Sequence, residues 1–139
     1  QNQLNPDIKY GVGILDANFL KKVNDKYGHE AGNELIRRAA KVICAVFRHS
    51  QVFRIGGDEF AAILENQDYE HREGLLKLFD VKTAEEHFTV GGDVLTVSVA
   101  RGLGVHEHGM EFAQVSEYAD VAMYNHKAAL KAQYGEEVR

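Results

Sequence analysis

"RIGGDEFAAIL", Arg54 to Leu64, is the stretch on which the fold turns. Two glycines and two acids stand side by side between apolar runs, with Val52, Phe53 and Ile55 before them and "FAAIL" after. A hairpin accounts for the glycines, because a tight turn needs positive φ. It does not account for the acids. "TVGGDVL", 89 to 95, is an internal control with the same glycine pair and one acid, and no function is needed to explain it. Gly56 and Gly57 by themselves therefore read as a turn. Asp58 and Glu59 are adjacent carboxylates that repel each other. Either both are simply solvated, or a cation sits between them. A hard divalent cation such as Mg²⁺ takes oxygen ligands and keeps waters and substrate phosphates for the rest of its shell.

Outward from the signature, the flanking runs 51 to 55 and 60 to 64 read as paired strands. "YGVGIL", 10 to 15, is apolar on both faces and reads as a central strand. A short helix is expected from Asn18 to Tyr27, ended by Gly28. A longer one follows at roughly 30 to 47, where Leu35, Ala39, Val42, Ile43 and Val46 recur at helical spacing. "DYEHREGLLKLF" reads as helix with Asp68 as a candidate N-cap. "HFTVGGDVLTVSVARGL" reads as a second hairpin with Gly91 and Gly92 in its turn. A last helix at about 111 to 131 carries Phe112, Val115, Ala119 and Ala122 on one face. The order β-α-α-β-β-α-β-β-α predicts a mainly antiparallel central sheet covered by helices, an α/β sandwich.

The 139 residues suit one domain with one sizeable core, and the 45% hydrophobic and 27% charged content is ordinary for a globular chain. A formal net charge of −5 does not furnish the basic surface of a broad nucleic-acid interface, though a nucleotide held by local groups and metal remains compatible with it. Cys44 is the one cysteine, so no disulfide framework exists within the chain, and a reducing cytoplasm is the compartment expected. Within "KVICAVF", Cys44 reads as a small core residue. No run approaches the ~18 apolar residues that span a bilayer, no signal peptide is visible, and no membrane contact is expected. Pro6, the only proline, sits in a polar lead-in. The start at Gln1 rather than Met leads us to expect a piece of a longer protein.

A third acid strengthens the cation. Asp16 directly follows the central strand, and strand ends meet hairpin tips at one edge of such a sheet, so Asp16 could face Asp58 and Glu59. One acid after a buried strand is also commonplace. "ANFLKK" then enters a helix, where backbone N–H groups favour anions, and Lys21 adds a positive charge one turn in. Carboxylates, a helix start and a lysine equip a metal-assisted phosphoryl or nucleotidyl transfer site. No GxxxxGK[ST] occurs, which excludes a P-loop enzyme at the motif level.

"ILDANFLKKVNDKYGHEAGNELI" followed by "FRIGGDEFAAIL" resembles the GGDEF domain of diguanylate cyclases, from about Tyr10 to Lys131. The Asp-x-x-x-x-Lys-x-x-Asn-Asp block, the Gly-His-x-x-Gly pair and the five-residue signature make the resemblance highly specific. It implies a palm-like fold akin to nucleotide cyclases, and conversion of two GTP into cyclic di-GMP and pyrophosphate in bacterial signalling. It implies Mg²⁺, or Mn²⁺, on Asp16, Asp58 and the backbone carbonyl of Ala17, with Asp58 or Glu59 assisting removal of the 3′-hydroxyl proton. Lys21 and the backbone of residues 18 to 20 would hold the β- and γ-phosphates. Asn24 and Asn33 would read the guanine edge, with His29 close by. Lys127 matches a phosphate-contacting lysine, and Lys131 stands where the family often has arginine. Without the resemblance both lysines read as solvated. Ring closure of two GTP implies a two-fold homodimer, and preceding sensory or regulatory domains would set its geometry.

The chain departs from the family pattern in several places. Asn33 replaces the usual aspartate, and an amide offers one acceptor and a donor where a carboxylate accepts two hydrogen bonds. Relaxed base selectivity, with ATP admitted, is therefore an expectation. Asn18 replaces a second aspartate, and Phe19 is bulky where phosphate passes close to backbone. The family's inhibitory product site, an Arg-x-x-Asp nine residues before the signature, is here "FRHS", with Phe47 and Ser50 at its ends. No feedback inhibition through that site is expected, and Arg48 and His49 read as surface residues. The helix and Asp-x-Leu-Thr segment that usually open the domain are not in this sequence. A GTP-sensing module without turnover is the alternative reading. A pure dimerisation scaffold would have no need of the acids.

Overall fold

The computed structural model describes residues 8–134. Its centre is β1 (Gly11–Ala17), an inner strand of a four-stranded sheet ordered β2 (Gln51–Arg54), β3 (Glu59–Leu64), β1, β6 (Val99–Val105). Every neighbouring pair is antiparallel. The inner place of β1 follows from its sequence: apolar on both faces, it must be covered on both.

The period of two sorts its side chains. Leu15 and Ala17 join Phe60, Ala62 and Leu64 of β3 on one face, under Leu35, Ala39, Val42, Ile43 and Val46 of α2 (His29–Val46). Tyr10, Val12, Ile14 and Ala100 pack on the other face against Val115, Ala119 and Met123 of α5 (Phe112–Tyr134). Full burial of each large side chain here contributes roughly 1.5–3 kcal/mol. α1 (Leu20–Tyr27) precedes α2, and Gly28 between them holds φ 95°, a conformation that favours glycine.

α5 lies unusually close to β6. A Cβ on Gly102 would fall 2.2 Å from the Met123 nitrogen, and one on Gly104 would fall 2.1 Å from the Val115 carbonyl oxygen. The helix backbone therefore rests on strand backbone. The Arg101 N–H donates to His126 Nδ1 at 3.0 Å, so α5 also covers part of the outer edge of β6. That bond requires an unprotonated Nδ1. Burial first, and then the Arg101 charge, hold the His126 pKa below its ordinary value.

Several expectations need correction. The helix read around Asp68 is two helices, α3 (Asn66–Glu70) and α4 (Arg72–Glu85), and Asp68 is not an N-cap. It is buried inside α3, where its carboxylate accepts from the His49 N–H at 3.1 Å and the Ser50 hydroxyl at 2.5 Å. The second hairpin, β4 (His87–Val90) with β5 (Asp93–Thr96), stands apart as a two-stranded sheet. The chain then breaks at Val97 and Ser98 before joining the main sheet as β6, so the expected single strand is two. Cys44 is exposed, because at helical spacing it falls on the solvent side between buried Ile43 and Val46. Phe112 is exposed at the first turn of α5, and Met123 takes the core place assigned to Ala122. Pro6 and the lead-in up to residue 7 lie outside the described residues. Among those described, no helix is long and apolar enough to cross a membrane.

The two glycine pairs also differ. Gly91 and Gly92 hold φ 58° and 84°, as a two-residue hairpin turn requires. Neither Gly56 nor Gly57 lies in the left-handed region. Their turn closes instead through the Ile55 and Gly56 N–H groups, which both donate to the Glu59 carbonyl at 2.8 and 3.2 Å. Arg54 donates to the Gly56 and Gly57 carbonyls. A Cβ on Gly57 would meet nothing within 4 Å.

Candidate active site

The sheet itself gathers the acids. Asp16, in the last turn of the β1 ladder, is the register partner of Glu59 at the start of β3. The next residue, Ala17, donates its N–H to the Asp58 carbonyl at 2.7 Å. Asp16 and the adjacent pair Asp58 and Glu59, remote from it in sequence, thus meet where β1 ends and the signature turn begins. Burial is the main reason the Asp16 pKa is raised; the hydrogen bond and charge of Lys127 oppose it, and the charge of Asp58 adds to it. Glu59 is raised too, by burial first and then by the charges of Asp16, Asp120 and Asp58.

Lys127 reaches across from α5 to Asp16, Nζ to Oδ2 3.0 Å, with only 20% and 14% of the two side chains exposed. The other oxygen, Asp16 Oδ1, is buried without a hydrogen-bond partner. A carboxylate with one oxygen on an ammonium and the other unsatisfied fits a cation site. Among the described residues no three acidic, His or Cys side chains form a ready metal cage. Mg²⁺ does not ask for one, since it binds through one or two carboxylates with water and phosphate oxygens completing the octahedron.

The loop leaving β1 is tied down by Asn18, which is 0% exposed. Its N–H donates to the Ser98 carbonyl at 2.8 Å and its side-chain NH₂ to the Ser98 hydroxyl at 3.0 Å. The amide donates to the hydroxyl while its own Oδ1 is buried without a partner; because a serine hydroxyl could equally donate to a carboxylate, this contact does not explain the substitution. Phe19 then adopts φ 73°, ψ 8°, left-handed geometry that costs a non-glycine residue of order 1–3 kcal/mol. Its side chain packs against the larger core cluster, so the bulk that the sequence left unexplained is an anchor. The N-cap residue Phe19 supplies no side-chain hydrogen bond to the start of α1.

The other candidate residues are placed less tightly. Lys21 does not touch the acids; it pairs with Asp25 at 2.9 Å and is 83% exposed, a surface pair of little energetic weight. Asn24 lies against α2 at Gly32, where a Cβ would sit 1.8 Å from Asn24 Oδ1, and that oxygen is buried without a partner. Gly32 of the Gly-His-x-x-Gly pair is thus the space into which Asn24 fits. His29 and Asn33 are exposed one turn apart at the start of α2, and Lys131 is exposed one turn beyond Lys127. Sequence reasoning missed the Asn18–Ser98 tie and the charge of Asp120 on Glu59. The second had a signal: Asp120 lies two helical turns before Lys127 on the same face.

At the expected product site, Phe47 is 3% exposed in the core and stacks in a tilted pair with Phe79 at 5.8 Å. Ser50 is engaged with Asp68. Arg48 and His49 are exposed, as read.

An antiparallel palm-like sheet with acids gathered at a strand end and a signature turn defines the nucleotide-cyclase class of fold. The chain belongs to the GGDEF family: the profile described as "Diguanylate cyclase, GGDEF domain" matches residues 1–133. It is 35% identical over 117 residues to "Diguanylate cyclase DgcS" of Shewanella oneidensis, covering 84% of this chain and 38% of that one. It is 33% identical over 128 residues to "Cyclic di-GMP phosphodiesterase PdeR" of Escherichia coli, covering 91% of this chain and 19% of that protein. The GGDEF domain of DgcB from Caulobacter crescentus, solved in complex with c-di-GMP, superposes with TM-score 0.80 at 27% identity, over 88% of this chain and 72% of that one. The chain therefore spans well under half of the two curated relatives named here.

Proposed function

We propose that this domain is a diguanylate cyclase, joining two GTP into cyclic di-GMP across a homodimer. The observation that carries the reading is the meeting of Asp16, Asp58 and Glu59 at one strand end, with a buried Asp16 oxygen left unsatisfied. Asp16, Asp58 and the Ala17 carbonyl would hold Mg²⁺ or Mn²⁺. When bound, that ion lowers the cost of deprotonating the 3′-hydroxyl and stabilises charge on the α-phosphate and leaving pyrophosphate. Each protomer holds one GTP. The 3′-oxygen of one nucleotide bonds to the α-phosphorus of the other, the bond to pyrophosphate breaks, and the hydroxyl proton passes to Asp58 or Glu59. Two such transfers close the ring and release two pyrophosphates.

Lys21 leaves its surface pair with Asp25 for the β- and γ-phosphates, beside the start of α1. Lys127 and Lys131 supply further positive charge from α5. Asn24, set by Gly32, reads guanine with Asn33, and His29 lies at the same turn. The weaker acceptor set of Asn33 admits ATP as a poorer substrate, and competition between labelled ATP and GTP tests that directly. Activity is placed in the cytoplasm, under preceding regulatory domains.

The deciding experiment incubates labelled GTP with Mg²⁺ and separates the products, with Glu59→Gln as control. Cyclic di-GMP from the parent and none from the variant supports the proposal. A GTP-binding module without turnover is the second reading, favoured by the match to a protein named as a phosphodiesterase. It predicts retained GTP and no product.

A further inference from the structure

We propose that Lys127 is a resident stand-in cation at Asp16, which makes divalent metal entry depend on the nucleotide. This rests on the reading above of Asp16 as a metal ligand.

The ammonium of Lys127 already occupies the carboxylate at 3.0 Å, and both side chains are largely removed from water. The other Asp16 oxygen, Oδ1, is buried without a hydrogen-bond partner, so Lys127 is the side-chain cation in contact with this carboxylate. Removing one member of such a pair strands the other charge in a poorly solvated place. A lone divalent ion arriving at Asp16 must therefore either displace Lys127 or share a small site with it at the cost of like-charge repulsion. Its gain is correspondingly small.

A nucleotide triphosphate changes the balance. It brings several negative charges at once and offers Lys127 a new partner within the same site. The lysine then moves from carboxylate to phosphate as the metal takes its place on Asp16. Lys127 can make that exchange without moving its helix: α5 is seated on the backbone of β6 at Gly102 and Gly104, while the lysine stem is a flexible four-carbon arm. Metal and nucleotide binding are thereby coupled through one side chain, with reciprocal effect on both affinities.

The test is Mn²⁺ binding read by electron paramagnetic resonance of the free ion, with the parent chain, Lys127→Met and Lys127→Gln, all confirmed folded by circular dichroism. Without nucleotide, either neutral variant should bind Mn²⁺ at least about fivefold more tightly than the parent, the lower end of common coupling strengths. Adding Asp16→Asn should erase that gain. A non-hydrolysable GTP analogue should raise Mn²⁺ affinity more in the parent than in the variants. Unchanged or weaker Mn²⁺ binding in both variants overturns the inference, as does an equal effect of the analogue on all three proteins. Tighter Mn²⁺ binding in the variants with no product from the parent leaves this inference standing and removes the cyclase reading. Product from the parent with no gain in the variants does the reverse.

Discussion

Glu59 is surrounded by charge of its own sign: Asp16, Asp120 and Asp58 all push its pKa up, on top of burial, and only Lys127 opposes them. A carboxyl whose pKa is higher in the folded chain than in the unfolded one binds its proton more firmly when folded. Stability then falls as pH rises from the ordinary carboxylate range through the raised pKa, and the loss persists at neutral pH. In metal-free buffer Glu59→Gln should therefore raise the melting temperature at pH 7 to 8, with the advantage gone well below pH 4. The same variant should abolish turnover, leaving product formation at least about a hundredfold down. Calorimetry at both pH values checks the first part and product chromatography the second. Gly57 gives a complementary case. Its conformation does not require glycine and a Cβ would meet open space. Gly57→Ala should leave the melting temperature within about 2 °C of the parent, since strain-free surface changes are usually within 0.5 kcal/mol. If a phosphate passes there, it should still cost about tenfold or more in kcat/KM. Gly32→Ala differs again: the new methyl evicts Asn24, and KM for GTP should rise about tenfold with the α2 core intact.

At the scale of elements, α5 and β6 pack backbone against backbone. Gly102→Ala or Gly104→Ala drives a methyl into helix backbone, which cannot turn aside as a side chain can. Each should cost roughly 1–3 kcal/mol, measured by urea unfolding, and should weaken activity by shifting Lys127. Those glycines were legible in the sequence as residues but not as contacts, because nothing in a single chain says which helix lies over which strand. The long helix α2 was legible for the opposite reason: Leu35, Ala39, Val42, Ile43 and Val46 repeat at helical spacing, and all five are buried. Cys44 and Asp68 were misread where local composition stood in for geometry. An apolar neighbourhood does not bury a residue on the solvent side of a helix, and an acid near a helix start need not cap it when a loop elsewhere offers N–H and O–H donors. The separate β4–β5 sheet escaped notice because the break at Val97 and Ser98 carries no glycine or proline.

For the whole molecule, the meeting of Asp16 with the signature turn was readable from strand order, whereas Lys127 on Asp16 depended on how α5 crosses the sheet. On the cyclase reading proposed above, a single domain presents one set of site residues, so ring closure would need a second copy. Specific activity should rise in proportion to protein concentration at high dilution and level off once dimers predominate, a dependence that product assays over about a hundredfold range of enzyme would reveal. Phe47 in the core and Ser50 committed to Asp68 leave no guanine-binding pair at that face. Isothermal titration with cyclic di-GMP should accordingly show no submicromolar binding there. The helix that would handle the triphosphate is only lightly held by the interior: α1 buries Val23 alone, against eight residues of α2, and its far end is tied to the β4–β5 sheet by the Tyr27 hydroxyl on Asp93. Its amide hydrogens should exchange with solvent well before those of α2, and a bound nucleotide, by pinning Lys21 and Asn24, should slow them selectively. On the proposed reading, capture of the triphosphate and the settling of this lightly moored helix would be a single event.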